Sequence, residues 1–128
     1  MIPTLVRAFE ASAVIPAFTI AKFSDTSASS KIAPASVNTD PIAGVSGSLG
    51  AAAIGDLVDI TLSGIALVTA GGTITAGALL TTDATGKAIA AVPTAGVFMS
   101  IIGKALEPAV SGDVFQFLAI PAAFYRGA

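Results

Sequence analysis

Alternation of apolar and polar residues is the dominant pattern along this chain. Over residues 58–63, Val58, Ile60 and Leu62 fall on one face of an extended strand, and polar side chains fall on the other. This period of two indicates a half-buried β-strand. Three further segments have the composition and spacing of strands, namely Ala17 to Phe23, Val97 to Ile102 and Val114 to Ile120.

Turn-forming residues between the strand segments predict a hairpin. Leu79 and Leu80 lead into residues 82–87, where Asp83 opens a turn and Gly86 supplies a positive φ. The alanine runs are short and lie within a few residues of Gly or Pro, so they favour tight sheet packing over helix. The pattern therefore predicts an all-β fold, a small β-sandwich or β-barrel-like domain with an extended N-terminal arm.

The first forty residues differ from the rest of the chain. They mix short apolar pieces with turn formers, which are concentrated in residues 24–30 and 38–41. We expect residues 1–40 to form an N-terminal arm with one strand, and residues 41–128 to form a β domain. A chain of 128 residues is long enough for one core and too short for two independent domains.

An internal repeat with an offset of 57 residues runs through the β domain. It becomes visible when Gly55-Asp56 is aligned with Gly112-Asp113. In both copies a short loop of small residues ends at the Gly-Asp pair, and an alternating strand follows. The positions that this alignment superimposes are Leu49 on Leu106, Val58 on Phe115 and Ile60 on Phe117.

The chain has too few charged residues to cover its own surface. Hydrophobic residues make up 54% and there are 13 glycines, whereas soluble domains reach ~45–50% with glycine included. Charged residues supply only 11%, against about 25% in an ordinary domain. Contiguous exposed apolar area marks contact with protein or membrane. The net charge of -2 and the scattered cations leave no basic stripe, so no direct nucleic-acid partner is predicted.

One uncharged run, residues 60–82, is long enough to span a bilayer as a helix, and a membrane-associated protein is therefore one alternative. The run contains four glycines and seven hydroxyl residues, and Asp59 and Asp83 flank it in place of Lys or Arg. We therefore expect no membrane contact. Because Glu10 follows Arg7 closely and Pro16 interrupts the next apolar segment, we expect no secretory signal, and we expect synthesis in the cytoplasm without export.

Residues that carry chemistry are scarce. The chain has no His, Cys or Trp, which removes the commonest general base, the thiol nucleophile and most zinc geometries. Asp56 and Asp59 are the closest carboxylates in sequence, but their odd spacing points them to opposite faces of a strand. We expect no catalytic, cofactor-binding or metal site. The alternative is a small cofactor-carrier or accessory β domain, with Lys87 at a hairpin turn carrying the cofactor.

The last residues include the sequence Phe124-Tyr125-Arg126. Aromatic residues and arginine are enriched at interface hot spots, so this segment is a candidate contact with a partner. A frayed terminus is the alternative.

Three segments carry a resemblance to a known family. They are "DPIAGVSGSLGAAAIGDLVDITLSGIALV", "GGTITAGALLTTDATGKAIAA" and "IIGKALEPAVSGDVFQFLAI". Their order of strand, glycine turn and alanine-rich loop resembles the capsid decoration, or cement, proteins of tailed bacteriophages. The resemblance implies a small, β-rich, non-enzymatic protein of the virion. It also implies binding to the outer surface of the capsid shell, with the major capsid protein as partner, generally as a homotrimer.

The resemblance also suggests which residues meet the partner. An N-terminal arm that lies across neighbouring capsid subunits would use Leu5, Arg7 and Phe9, and Phe124, Tyr125 and Arg126 would add contacts from the other end of the chain. Apolar strand faces would form the contacts between subunits. The implied function is mechanical stabilisation of the capsid.

Overall fold

Strands are the regular elements of this protein. The computed structural model describes residues 5–25, 27, 29–37, 40–91 and 98–126, with the backbone alone for residue 98 and residues 120–126. The strands in this part of the chain are β1 (Leu5–Glu10), β2 (Ile20–Phe23), β3 (Ile32–Pro34), β4 (Ile42–Ser46), β5 (Leu57–Thr69), β6 (Leu79–Thr82), β7 (Ala88–Ala90), β8 (Phe98–Ala105) and β9 (Val114–Arg126).

A single curled antiparallel sheet contains these strands, in the order β3-β2-β4-β5-β9-β8-β6-β7, with β1 added on β5. Strands β1 and β4 both pair with residues 60 and 61 of β5, so they lie on its opposite edges. Strand β9 lies on the edge opposite β4 and therefore shares one edge of β5 with β1. The sheet forms a half-barrel, and the predicted all-β class is confirmed.

The alternating segments are strands, but several boundaries differ from the prediction. The predicted strand at residues 58–63 is part of a 13-residue strand, and the one at residues 114–120 is also part of a 13-residue strand. Strand β2 begins only at Ile20, because Ala17 and Phe18 lie in a turn in which Phe18 has a φ of 52°. The predicted hairpin is present as β6 and β7.

The N-terminal forty residues contribute three strands to the sheet. Strand β1 pairs with β5, and β2 pairs with both β3 and β4. The division of the chain at residue 40 stays a prediction.

The chain folds as two similar units, residues 5–63 and residues 64–126, that share β5. Strands β5 and β9 have the same length and are offset by 57 residues, and the second half of β5 pairs with β9 as β1 pairs with the first half of β5. Isolated bridges also repeat, since Ile15 pairs with Ala51 in the first unit and Ile74 pairs with Ala109 in the second. Each unit therefore builds the same pattern of non-local pairs.

The buried residues form two clusters, one made of first-unit residues alone and a larger one that combines second-unit residues with Ile20, Ala35 and Val45 of the first unit. Every residue of the first cluster has an equivalent in the second, larger cluster. The equivalent buried pairs are Phe9 and Val68, Ala11 and Ala70, Ile15 and Ile74, Ala21 and Leu80, Ile32 and Ala88, Ala51 and Ala109, Val58 and Phe115, and Ile60 and Phe117. Large and small side chains exchange places between the units, which preserves packing volume.

Residues 60–82, the segment considered as a membrane span, form the end of β5, a turn and β6. Among the described residues, no helix is long and apolar enough to cross a membrane.

Candidate interaction surface

The outer face of the second unit is mostly aliphatic on β5, β6 and β9, with Lys104 of β8 and Gln116 of β9 among the aliphatic residues. Leu118 of β9 lies beside Ile65 of β5 and Lys104 of β8, and Lys104 lies beside Leu79 of β6. A second row places Leu67 beside Gln116. The exposed aliphatic residues of this outer face, each 38–44% accessible, are Leu67, Leu79, Leu106, Val114 and Leu118. No other described element covers them.

The first unit has an equivalent outer face with different chemistry. It contains an open cleft of about 310 Å³ between β1, β5 and the loop of residues 47–50. Leu49 and Leu57, which border the cleft, are 93% and 73% exposed. Asp59 replaces Gln116 at the equivalent position, and Glu10 adds a second carboxylate. The first outer face is therefore acidic, and the second is apolar with one lysine.

Two equivalent loops project apolar side chains beyond the sheet. The loop between β4 and β5 exposes Leu49 and Ile54, and the loop between β8 and β9 exposes Leu106 and Val110. Each loop joins two antiparallel strands that pair with each other, and its exposed residues are available to another protein.

The carboxylate of each Gly-Asp pair holds its loop in shape. Asp56 Oδ2 accepts a hydrogen bond of 3.1 Å from the N–H of Ala53, and Asp113 Oδ2 accepts one of 3.1 Å from the N–H of Val110. Asp side chains commonly stabilise turns in this way. Asp56 and Asp113 are therefore engaged in loop structure. Among the described residues, no group of three or more His, Cys, Asp or Glu residues could hold a metal ion.

The residues predicted to meet a partner have different environments. Leu5 is 58% exposed and Arg7 is also exposed on β1. Phe9 is only 4% exposed, because its ring packs edge-on against Phe23 at a centroid distance of 5.7 Å. The Cζ atom of Arg7 lies 4.5 Å from the centroid of the Phe9 ring. Phe9 is thus a core residue in this conformation, and only its neighbours on β1 are available at the surface.

The other predicted contact segment lies in the second half of β9. The backbone of Phe124, Tyr125 and Arg126 is a strand paired with β8. Their side chains lie outside the described part of the structure. The structure does not bring this segment next to β1.

A family model for phage cement proteins matches residues 8–120. This covers most of the chain. The chain belongs to the phage cement protein family. It is therefore a capsid-associated structural protein of a bacteriophage.

A solved structure supports the fold. The N-terminal base of the head fiber protein gp8.5 of bacteriophage phi29 matches with a TM-score of 0.67 and 22% identity, over 92% of this chain and 95% of that one. At this identity the likeness concerns the fold. No protein in the curated set matches the chain.

The hairpin turn at Lys87 is docked on the first unit. The N–H of Ile20 donates a hydrogen bond of 2.7 Å to the carbonyl oxygen of Gly86, and Asp83 Oδ1 accepts from the N–H groups of Thr85 and Lys87. The Lys87 side chain is exposed. A carrier lysine acts from a projecting turn, whereas this turn packs against β2.

A charged group joins the loop before β4 to β2. Asp40 Oδ2 accepts hydrogen bonds of 2.9 Å from the N–H groups of Ser36 and Val37 and lies 3.5 Å from Lys22 Nζ. Partial burial of the Asp40 carboxylate opposes its ionisation, but these hydrogen bonds and the Lys22 charge outweigh burial and lower its pKa. Asp40 is therefore a structural anchor of the first unit.

Sequence reasoning did not identify the outer face of the second unit. One signal for it was available, because residues 114–119 of β9 are apolar on both faces of the strand, with Gln116 as the polar exception. Phe115 and Phe117 point into the core while Val114 and Leu118 point outward. A strand that is apolar on both faces is covered on both sides in its working state.

Proposed function

We propose that this protein binds the outer surface of a phage capsid shell as a homotrimer and stabilises the shell. The observation that supports this proposal best is the uncovered outer face of the second unit, a surface on four adjacent strands that is aliphatic apart from Lys104 and Gln116. Burying such a surface against another protein removes apolar area from water, and a chain with 11% charged residues has few charged side chains to cover that area itself. Membership of the phage cement protein family supports the capsid as the site of that assembly.

Self-association is supported by the difference between the two outer faces. The first carries Glu10 and Asp59, and the second carries Lys104 among aliphatic residues. Contact between the first face of one copy and the second face of the next is heterologous, and such contacts close into rings when the rotation permits. A ring of three is the arrangement that we propose.

Contacts with the major capsid protein are assigned to β1 and to the two equivalent loops. Leu5 and Arg7 are exposed on β1, and Leu49 and Ile54 are the most exposed aliphatic residues of the loops. Phe124, Tyr125 and Arg126 are proposed as further contacts. No catalytic step, cofactor, direct nucleic-acid contact or membrane contact is part of this function, and the protein is made in the host cytoplasm before assembly.

Binding to purified shells tests the proposal. The protein should co-sediment with expanded capsids that lack a decoration protein, and decorated capsids should withstand higher temperature or chelator concentration. Leu118→Lys on the outer face should abolish trimer formation and decoration. Val37→Lys, on a loop of the first unit and more exposed than Leu118 (51% against 38%), is the control and should decorate normally. Wild-type protein that fails to bind such shells would disprove the proposed function.

A further inference from the structure

Strand β1 pairs with the stretch of β5 that the second half of β9 would reach if the ladder between β5 and β9 were longer. The ladder between β5 and β9 stops at Gly64 and Ala119, and from that point β1 occupies the same edge. If the β9 ladder continued by the same register, Phe124 would reach Asp59 and Tyr125 would reach Val58. These are the positions that Ala8 and Phe9 of β1 occupy.

The internal repeat also makes β1 equivalent to the second half of β9. The second half of β5 is the counterpart of β1, and the second half of β9 is its counterpart one unit later. At the buried position of this strand the first unit has Phe9 and the second has Val68, both at most 4% exposed. Tyr125 stands at the corresponding position of β9. A residue that can fill a core position is therefore present in all three strands, and Val68 is the smallest of the three.

The second half of β9 has a free edge and a point at which it can turn. In the described part of the chain, residues 123–126 pair with β8 alone, and residues 120–122 lie at the irregularity of that ladder. The ladder between β8 and β9 has a register shift between Ile101 and Gly103, so the pairs beyond it are offset from the rest of the ladder. An unpaired edge presents N–H and C=O groups that can accept another strand. Pairing with β5 would use that edge and keep the pairing with β8.

Charge favours the alternative pairing. Glu10 lies opposite Leu57 on the same side of the sheet as Asp59, so two carboxylates are diagonal neighbours. The continued register would place Arg126 opposite Leu57 instead, beside the same Asp59. Glu10 has Lys31 as an ion-pair partner at 3.2 Å, but both groups are about half exposed and such pairs contribute little.

We propose that β1 and residues 120–126 of the same chain are alternative partners for this edge of β5. In the free protein β1 occupies the edge. On the shell β1 leaves, residues 120–126 continue the β9 ladder along β5, and β1 adds to an open strand edge of the shell protein. This inference rests on the proposed function. One ladder replaces another of similar length, so the affinity of β1 for the shell selects the second state.

Engineered disulfides test the exchange, because the chain has no cysteine of its own. Residues opposite each other in an antiparallel ladder have the Cα separation that a disulfide requires. The pair Ala8→Cys and Asp59→Cys reports β1 on the edge, and the pair Phe124→Cys and Asp59→Cys reports β9 on the edge. Phe124→Cys with Ser63→Cys is out of register by four residues, roughly 13 Å, and is the control.

We expect the Phe124–Asp59 cysteine pair to form an intrachain disulfide when expanded capsids are added, seen as a mobility shift on non-reducing gels. The control pair should not react. The oxidised Ala8–Asp59 pair should hold β1 in place and lose binding to capsids, and reduction should restore it. Thermal melts of each variant establish that it folds, and the pair Ala122→Cys and Thr61→Cys repeats the test without altering Phe124.

Two results would overturn the exchange within one chain. The first is capsid binding with no disulfide in the Phe124–Asp59 or the Ala122–Thr61 cysteine pair. This result would leave the proposed function intact. The second is disulfides between different chains. Failure of the wild-type protein to bind capsids is a separate result and counts against the proposed function itself.

Discussion

Phe9 lies directly opposite Val58 across the ladder between β1 and β5, and both side chains are buried. The equivalent pair in the second unit is Val68 opposite Phe115, also buried. The two units therefore use the same two residue types at this position but exchange them between the strands. One aromatic and one β-branched residue fill this part of each core, and either strand can supply the aromatic residue.

This relationship predicts the outcome of a double substitution. Phe9→Val should leave a cavity, and Val58→Phe should overfill the core, each lowering the free energy of unfolding by about 1–3 kcal/mol. The double variant Phe9→Val, Val58→Phe reproduces the arrangement of the second unit and should recover at least about 1 kcal/mol relative to the sum of the single effects. Chemical denaturation of the four proteins measures the coupling. Additive effects would show that the side chains at positions 9 and 58 do not compete for the same space in the core.

Gly103 should not tolerate a side chain. A Cβ atom at Gly103 would collide with the carbonyl oxygen of Leu118, and Gly44, at the equivalent position of the first unit, has the same relation to Thr61. Backbone atoms on a paired strand cannot move aside cheaply, so Gly103→Ala should destabilise the protein by about 3 kcal/mol. Gly72→Ala is the matched control, since its Cβ would approach nothing closer than 4.0 Å, and it should change stability by less than about 0.5 kcal/mol. Thermal unfolding compares the two.

Asp40 should make the protein less stable as the pH falls below the ordinary pKa of an aspartate, 3.8. Because the pKa of Asp40 is lowered in the folded protein, its contribution is fully present above the unfolded-state value and is lost as the pH falls through the folded value. Asp40→Asn should therefore be less stable than the wild type at pH 7, with the difference shrinking below the ordinary Asp value of 3.8. Lys22→Met, which leaves the two backbone hydrogen bonds, should have a smaller effect. A difference between wild type and Asp40→Asn that does not change from pH 7 to pH 2 would contradict this assignment.

Ser100 connects the two units. Its Oγ atom donates a hydrogen bond of 2.7 Å to the carbonyl oxygen of Asp40, and its own carbonyl oxygen accepts one of 2.8 Å from Thr81 Oγ1. Ser100 is buried, so Ser100→Ala should cost about 1 kcal/mol by leaving the Asp40 carbonyl without this donor. Hydrogen exchange should show faster opening in β8. Ser63→Ala, on β5 and partly exposed, is the control and should leave β8 unchanged.

The sequence alone determined the all-β class and the inward faces of the long strands. Alternation in β5 and β9 marks Ile60 and Phe117 as buried, because a strand has a period of two whatever it pairs with. The hairpin of β6 and β7 also followed from local turn chemistry. The two Gly-Asp pairs lie at matching turns because a loop of this shape needs a flexible residue and a side-chain acceptor at fixed places.

Tertiary structure decided the strand partners, the strand ends and the exposed surface. Phe18 illustrates this, since it adopts a positive φ at the place where the second unit has Gly77, and no local preference of phenylalanine predicts that. The pairing of β1 with β5 joins residues about fifty positions apart, and the outer face of the second unit exists only because β6, β8, β9 and β5 lie side by side. A local pattern specifies which way side chains point, but the partner of each strand edge depends on the whole sheet, and with it the surface that stays exposed.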